Sequence, residues 1–315
     1  MFESDRCTAK KGTRANKGKV MKKYFLHLMG PPNLRFRGEN AAFEGISLKP
    51  ASIALLSFLA TPGHRGGIAR GRLAEILSPG CDPRKSSSRL SSAICRLRQG
   101  LGRHGDMILR ERSGGQIISL SPDVVTDMAE LAQARDALVL VQNDANIDRL
   151  EDALQARSGD FLDGLTDSWA EDARQVCLEI YESALELLIA VHRTTGDVDR
   201  SISAARSLIR EDPYREDIHA VLLELYGRKG LRHRAAAHYN GCCKVLKSDL
   251  GVDPGDRLQS SLRAALNAGP LATPEMSDLH GKLRDLDRSI RAIASKVDRL
   301  FEKVDGDQAK TARDS

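Results

Sequence analysis

Apolar positions along the chain change spacing twice, and each change marks a different kind of element. Tyr24 to Met29 form a short apolar run, ended by Gly30-Pro31-Pro32, and predict a strand. Asn33 to Arg37 and Gly45 to Leu48 add short strand signals. Ala51 to Ala60 predict a first helix, stopped at Thr61-Pro62-Gly63, and Ile68 to Leu77 a second, stopped at Ser78-Pro79-Gly80. Lys85 to Leu101 predict a third, opened by Asp82-Pro83. Its Leu90, Ile94, Leu97 and Leu101 recur at intervals of four, three and four, which is one helical face. Ile108 to Arg112, the tight turn Ser113-Gly114-Gly115, and Gln116 to Leu120 then predict a hairpin.

After Ser121-Pro122 the spacing stays helical. Helices are predicted near 125–141, 146–157, 168–195, 198–211, 214–228, 231–250 and 257–267, with Gly, Pro or Asp breakers between them. The breaks at Gly196 and Gly230 are 34 residues apart, the period of a tetratricopeptide-type helical hairpin. A linker at 269–275 follows. Beyond it Leu279, Leu283, Leu286, Ile290, Ile293, Val297 and Leu300 alternate by four and three, a heptad pattern that predicts a coiled coil joining copies of the chain. A single amphipathic helix folded on its own domain is the alternative. The expected fold is mainly α. A disordered basic tail (1–22) precedes a winged helix-turn-helix (23–121), then come a helical tetratricopeptide-like domain (122–268), the linker, a coiled-coil helix (276–306) and a second disordered tail (307–315).

Charge sharpens this division. Residues 1–121 hold 22 Lys or Arg against 8 Asp or Glu, while the rest hold 26 against 35. An excess of 14 cations in front of an excess of 9 anions points to a polyanionic partner for the first part. Nucleic acid is favoured over a membrane surface. No apolar run reaches the ~18 residues of a membrane span, and the basic N-terminus lacks a secretory apolar core. The six cysteines (7, 81, 95, 177, 242 and 243) form no CxxC or zinc-ligand spacing, and reduced thiols suit the cytoplasm. Vicinal Cys242 and Cys243 read as small packed residues, and His233 and His238 as helix-surface residues.

A recognition helix must bury one face and offer a polar, cationic face to the major groove. The third helix meets this requirement. With its leucines and Ile94 inward, Lys85, Ser88, Arg89, Ser92, Arg96 and Arg103 fall on the other side, and no acidic residue interrupts 85–103. Arg bonds guanine edges bidentately, and Ser reaches bases or phosphates. Arg110 and Arg112 beside the glycine turn suit a wing on phosphate or minor groove. His64, Arg65, Arg70 and Arg72 are further phosphate candidates.

Three stretches carry a family likeness: ALLSFLATPGHRGGIARGRLAEIL (54–77), SSRLSSAICRLRQGLG (87–102) and DPYREDIHAVLLELYGRKGLRHRAAAHYNGCCKVLKSDLGVDPG (212–255). Residues from about 24 to 267 resemble the antibiotic-regulatory-protein (SARP) type of bacterial activators, which join an OmpR-type winged helix to a bacterial transcriptional activator domain. The resemblance implies a sequence-specific activator that binds direct repeats of double-stranded DNA and contacts RNA polymerase. It adds Arg98 to the recognition-helix residues, beside Arg89, Ser92 and Arg96. Gly115-Gln116 stands where the family has a Gly-Tyr pair in the wing.

No P-loop, GxSxG, HExxH or dinucleotide fingerprint is present, so no cofactor, metal or enzymatic activity is expected. The expectation is a cytoplasmic, nucleoid-associated transcriptional activator. A tetratricopeptide-like interaction scaffold without specific DNA binding is the alternative.

Overall fold

The computed structural model describes residues 24–38, 42–64 and 66–268. Both tails and the heptad positions Leu279 to Leu300 lie outside the described residues. Two compact units form, with the break between Val191 and His192. The architecture is mainly helical, with small sheets confined to the front of the chain.

In the first unit, β1 (Tyr24–His27), β2 (Asn33–Arg37) and β3 (Phe43–Ile46) form an antiparallel meander. The third strand thus begins at Phe43, ahead of the expected Gly45. A fourth strand, β7 (Val124–Thr126), closes this sheet by pairing in parallel with β1, Tyr24 opposite Val124. The sequence places Val125 in a helix; its partner lies a hundred residues away, where helical periodicity carries no information about it.

Three helices follow the meander: α1 (Pro50–Ala60), α2 (Arg70–Leu77) and α3 (Pro83–Leu101). Ile68 and Ala69, expected to open α2, instead form β4 and pair with Ile118 and Ile117. This lays β4 beside the hairpin β5 (Leu109–Arg112) and β6 (Ile117–Leu120) in a second sheet, ordered β4-β6-β5. The arrangement is a winged helix-turn-helix. A short helix, α4 (Gly105–Ile108), leads into β5, so the expected strand start at Ile108 is helical. Gly67 (φ +102°) permits the crossing at β4: a Cβ there would stand 2.7 Å from Ile117 Cγ2.

The helices α5 (Asp127–Leu140), α6 (Asp144–Gln155) and α7 (Ser168–Thr195) come next, and the last turn of α7 passes the break between the units. Thr126 caps α5 by accepting from the Ala129 N–H at 3.0 Å. Buried Asp127 accepts from the backbone N–H groups of Leu28 (2.9 Å) and Met29 (2.8 Å), and His27 Nδ1 lies 2.7 Å away. One carboxylate therefore satisfies the frayed end of β1, whose donors would otherwise be buried unpaired. The segment before α7 is fixed to the same place, with Ser158 donating to the Met29 carbonyl and Leu162 to that of Leu28.

In the second unit, α8 (Val198–Glu211), α9 (Glu216–Arg228) and α10 (Arg232–Val245, continued by a wider turn through Leu250) stack as tetratricopeptide-like hairpins, and α11 (Asp256–Asn267) packs on α9. Gly196 (φ +80°) and Gly230 (φ +67°) end α7 and α9 in the left-handed region. Gly227 lets α9 and α11 touch backbone to backbone; a Cβ there would be 2.7 Å from Ala265 Cα. His233 is exposed, as expected, but His238 is not a surface residue. Its Nε2 sits 2.8 Å from His219 Nδ1, and burial, then the charges of His219 and Arg206, push it down to about 4. Cys242 is buried, and burial raises its thiol to about 11.

Candidate nucleic-acid interface

The local sequence starts α3 firmly. Asp82 is its N-cap, accepting from the Arg84 N–H (2.9 Å) and the Lys85 N–H (3.3 Å), and Pro83 takes the first helical position, where a missing N–H costs nothing. Gly102 (φ +53°) ends it. Leu90, Ile94, Leu97 and Leu101 are buried to within 3% of full cover, so the apolar stripe faces inward as its spacing predicts.

The opposite side stays open. At about 100° per residue, Lys85, Ser88, Arg89, Ser92 and Arg96 share an arc of roughly 100°. All five are exposed. Their contacts are light: Arg89 reaches Cys81 Sγ at 3.0 Å, and Arg96 Nε donates to the Ser92 carbonyl at 3.2 Å. Neither arginine forms an ion pair with a described carboxylate. Burial of the inner stripe thus leaves a cationic and hydroxyl-bearing outer stripe whose arginines no described carboxylate balances.

The remaining candidates are placed elsewhere. Arg98 falls about 40° from Ile94 on the helical wheel, at the edge of the buried face. Its guanidinium meets Glu111 on β5 at 3.0 Å, and its Nε is buried without a partner among the described residues. Arg98 therefore does not join the open stripe; it ties α3 to the wing. Arg70 at the start of α2 approaches the same Glu111 (3.8 Å) and donates to Ser91 on α3 (3.0 Å). Glu111, Arg70 and Ser91 form a brace that the sequence reading omits. Strand alternation is the signal that could have found Glu111, because it shares a face with buried Leu109.

Arg103 is exposed just past the end of α3. Its charge lies close enough to Tyr24 and His104 to oppose protonation of both. Burial is the larger influence on each, raising the Tyr24 hydroxyl and lowering His104. Arg110 and Arg112 are exposed on the wing, and Arg112 donates to the Gly66 carbonyl beside β4. Ser113, Gly114 and Gly115 all have positive φ, which folds the wing tip tightly.

No group of His, Cys, Asp or Glu among the described residues could hold a metal ion, and no described helix is long and apolar enough to cross a membrane.

This geometry sits in front of a segment, residues 123–266, that matches the bacterial transcriptional activator domain. The chain as a whole resembles the SARP type of regulator. A curated relative, the regulatory protein AfsR of Streptomyces coelicolor, is 26% identical over 254 residues. That alignment covers 79% of this chain and 25% of AfsR, so the chain spans about a quarter of that relative's length. Among solved structures, EmbR of Mycobacterium tuberculosis, in complex with a low-affinity phosphopeptide, has the same fold. Its TM-score is 0.61 at 22% identity, over 84% of this chain and 71% of that one. The family match starts at 123, where the sequence reading puts a boundary at 122, whereas the first compact unit runs on to Val191.

Proposed function

We propose that the chain is a sequence-specific DNA-binding regulator that activates transcription by recruiting RNA polymerase, with no bond made or broken. The observation that carries this is the exposed stripe of Lys85, Ser88, Arg89, Ser92 and Arg96 on the face of α3 opposite its buried leucines. A helix so presented enters a major groove with its polar side toward base edges. Arg89 and Arg96 read bases, Lys85, Ser88 and Ser92 reach bases or phosphates, and Arg103, Arg110 and Arg112 hold the backbone or minor groove. Arg98 acts at one remove, by fixing the angle between α3 and the wing through Glu111.

Activation and the polymerase partner rest on the SARP likeness. Pairing of protomers rests on the heptad positions Leu279, Leu283, Leu286, Ile290, Ile293, Val297 and Leu300. The site of action is the cytoplasmic nucleoid.

Fluorescence anisotropy with duplex DNA of mixed and selected sequence, across a salt series, tests the reading. Each phosphate neutralised by Lys or Arg contributes about −0.9 to the log–log salt slope, so the three or four such contacts named here predict roughly −3 to −4 per chain. A preferred sequence should survive excess competitor DNA. Binding that shows no preference at any salt would leave the scaffold reading, in which the basic front end merely solvates. Deleting 276–315 should halve the mass seen by light scattering if the heptads pair two chains; an unchanged mass removes that part.

A further inference from the structure

A cleft of about 380 Å³ opens within the first unit, where the end of α1 and the outer side of α2 meet the start of α7. It lies apart from the open face of α3. Its floor is aromatic: Phe58 stacks on His64 (ring centroids 4.5 Å) and meets Trp169 edge-on (5.1 Å). Ile76 adds an aliphatic wall. The volume and the mix of an apolar floor with few polar groups are those of small-molecule sites.

Three polar features are left over. Trp169 is 93% buried, with a relative exposure of 7%, and its indole N–H has no hydrogen-bond partner among the described residues. That N–H is itself enclosed, so what Trp169 offers the cleft is ring surface. Arg72 stands exposed at the mouth, held only by its neighbour Glu75 at 3.3 Å. Asp172, one turn into α7, lines the same mouth and forms no ion pair among the described residues. The mouth also lies at the N-terminal end of α7, where the helix dipole stabilises a carboxylate. Burial lowers His64, so its ring is neutral near pH 7 and the floor carries no charge of its own.

We propose that this cleft binds a small aromatic molecule bearing both a carboxylate and an amine. The ring lies on Phe58 and Trp169, the carboxylate faces Arg72 and the start of α7, and the amine faces Asp172. A ligand seated there touches α1, α2 and α7 together, and so couples the winged helix to the first helices of the activator domain. A metabolic signal would thereby reach α2, which packs directly on α3.

Trp169 is the single tryptophan of the chain, so its emission reports this site alone. L-kynurenine, an aromatic amino acid that absorbs where tryptophan emits, is the probe for the full chain in the absence of DNA. Saturable quenching is expected. Arg72→Gln and Asp172→Asn, both surface changes, should each raise the midpoint at least fivefold, and Ala173→Phe should remove saturation by filling the cleft. L-phenylalanine should displace the probe at least tenfold better than 3-phenylpropionate or phenethylamine, each of which lacks one charge. Quenching that rises linearly with kynurenine, or that is the same in the surface variants, overturns the site. Equal displacement by 3-phenylpropionate or phenethylamine overturns the assigned ligand class. Because no DNA is present, a negative result here leaves the DNA-binding reading standing, and the reverse also holds.

Discussion

Helices α3 and α8 look alike on paper and differ in the charges that surround them. Both bury an apolar stripe and both carry three or more cations outside it. On α8 the cations are engaged within the protein. Arg200 lies 3.7 Å from Asp197, Arg206 donates twice to the Tyr226 hydroxyl (2.7 and 3.0 Å), and Arg210 donates to Ser207 (2.9 Å). The helix also carries its own carboxylate, Asp199, which takes Lys229. Across α3 there is no carboxylate between its N-cap and Arg103, and the one supplied from outside, Glu111, takes Arg98 from the edge of the buried face. A row of arginines is therefore not by itself the mark of a nucleic-acid surface; what sets α3 apart is that no carboxylate stands along it, whereas α8 carries Asp199 and Glu211.

The strongest way to break the comparison is Arg89→Ala with Arg96→Ala. Each bidentate base contact carries about 1–3 kcal/mol of discrimination, so the pair should lose roughly 2–6 kcal/mol of sequence preference. Competition anisotropy reads this, and the melting temperature should stay within a degree or two. Retained preference would place the recognition surface off α3. Next is Leu97→Ala on the closed side of α3, fully buried, which should cost about 3 kcal/mol in thermal or urea unfolding. A cost below 1 kcal/mol would mean that the inner stripe is not core.

In the second unit, His238 should make stability depend on pH. Its native value is lowered from 6.5 to about 4, so the neutral form is the one the fold holds. The stability it contributes is complete above pH 6.5 and is lost as pH falls toward 4. Because the side chain is only partly buried, the loss amounts to about 2 kcal/mol rather than the full linkage value. His238→Gln should flatten that slope in urea melts taken between pH 7 and 4. The smallest effect belongs to Arg200→Ala on α8, an exposed pair expected to change stability by less than ~0.5 kcal/mol and DNA binding not at all. A drop in affinity comparable to that of the α3 variant would erase the distinction between the two helices.

What could be read from the chain follows from how local each signal is. Asp82-Pro83 at the start of α3, its four-three-four leucine spacing and Gly102 at its end are all short-range, and that helix appears as expected. The hairpin around Gly114-Gly115 was legible for the same reason. Ile68 and Val125 were misplaced in helices because what makes them strands is a partner far along the chain, Ile118 for one and Phe25 for the other. Arg98 entered the recognition set through likeness to a family, although its angle next to Ile94 already argued for a place beside the core. Asp127 was missed altogether, since nothing local distinguishes a carboxylate that closes a distant strand from one that begins a helix. The cleft under Trp169 was equally invisible, because its lining comes from residues more than a hundred positions apart.

The parallel pairing of Tyr24 with Val124 reaches past this one molecule. Anyone wishing to graft the winged helix of this chain onto another body would naturally cut beside residue 122. That cut leaves the front sheet one strand short and strips the Leu28 and Met29 amides of the Asp127 carboxylate. A chimera that works should carry the seam with it, at least through α5. Shuffling of such heads between relatives is then constrained to exchange the first turns of the neighbouring domain as well.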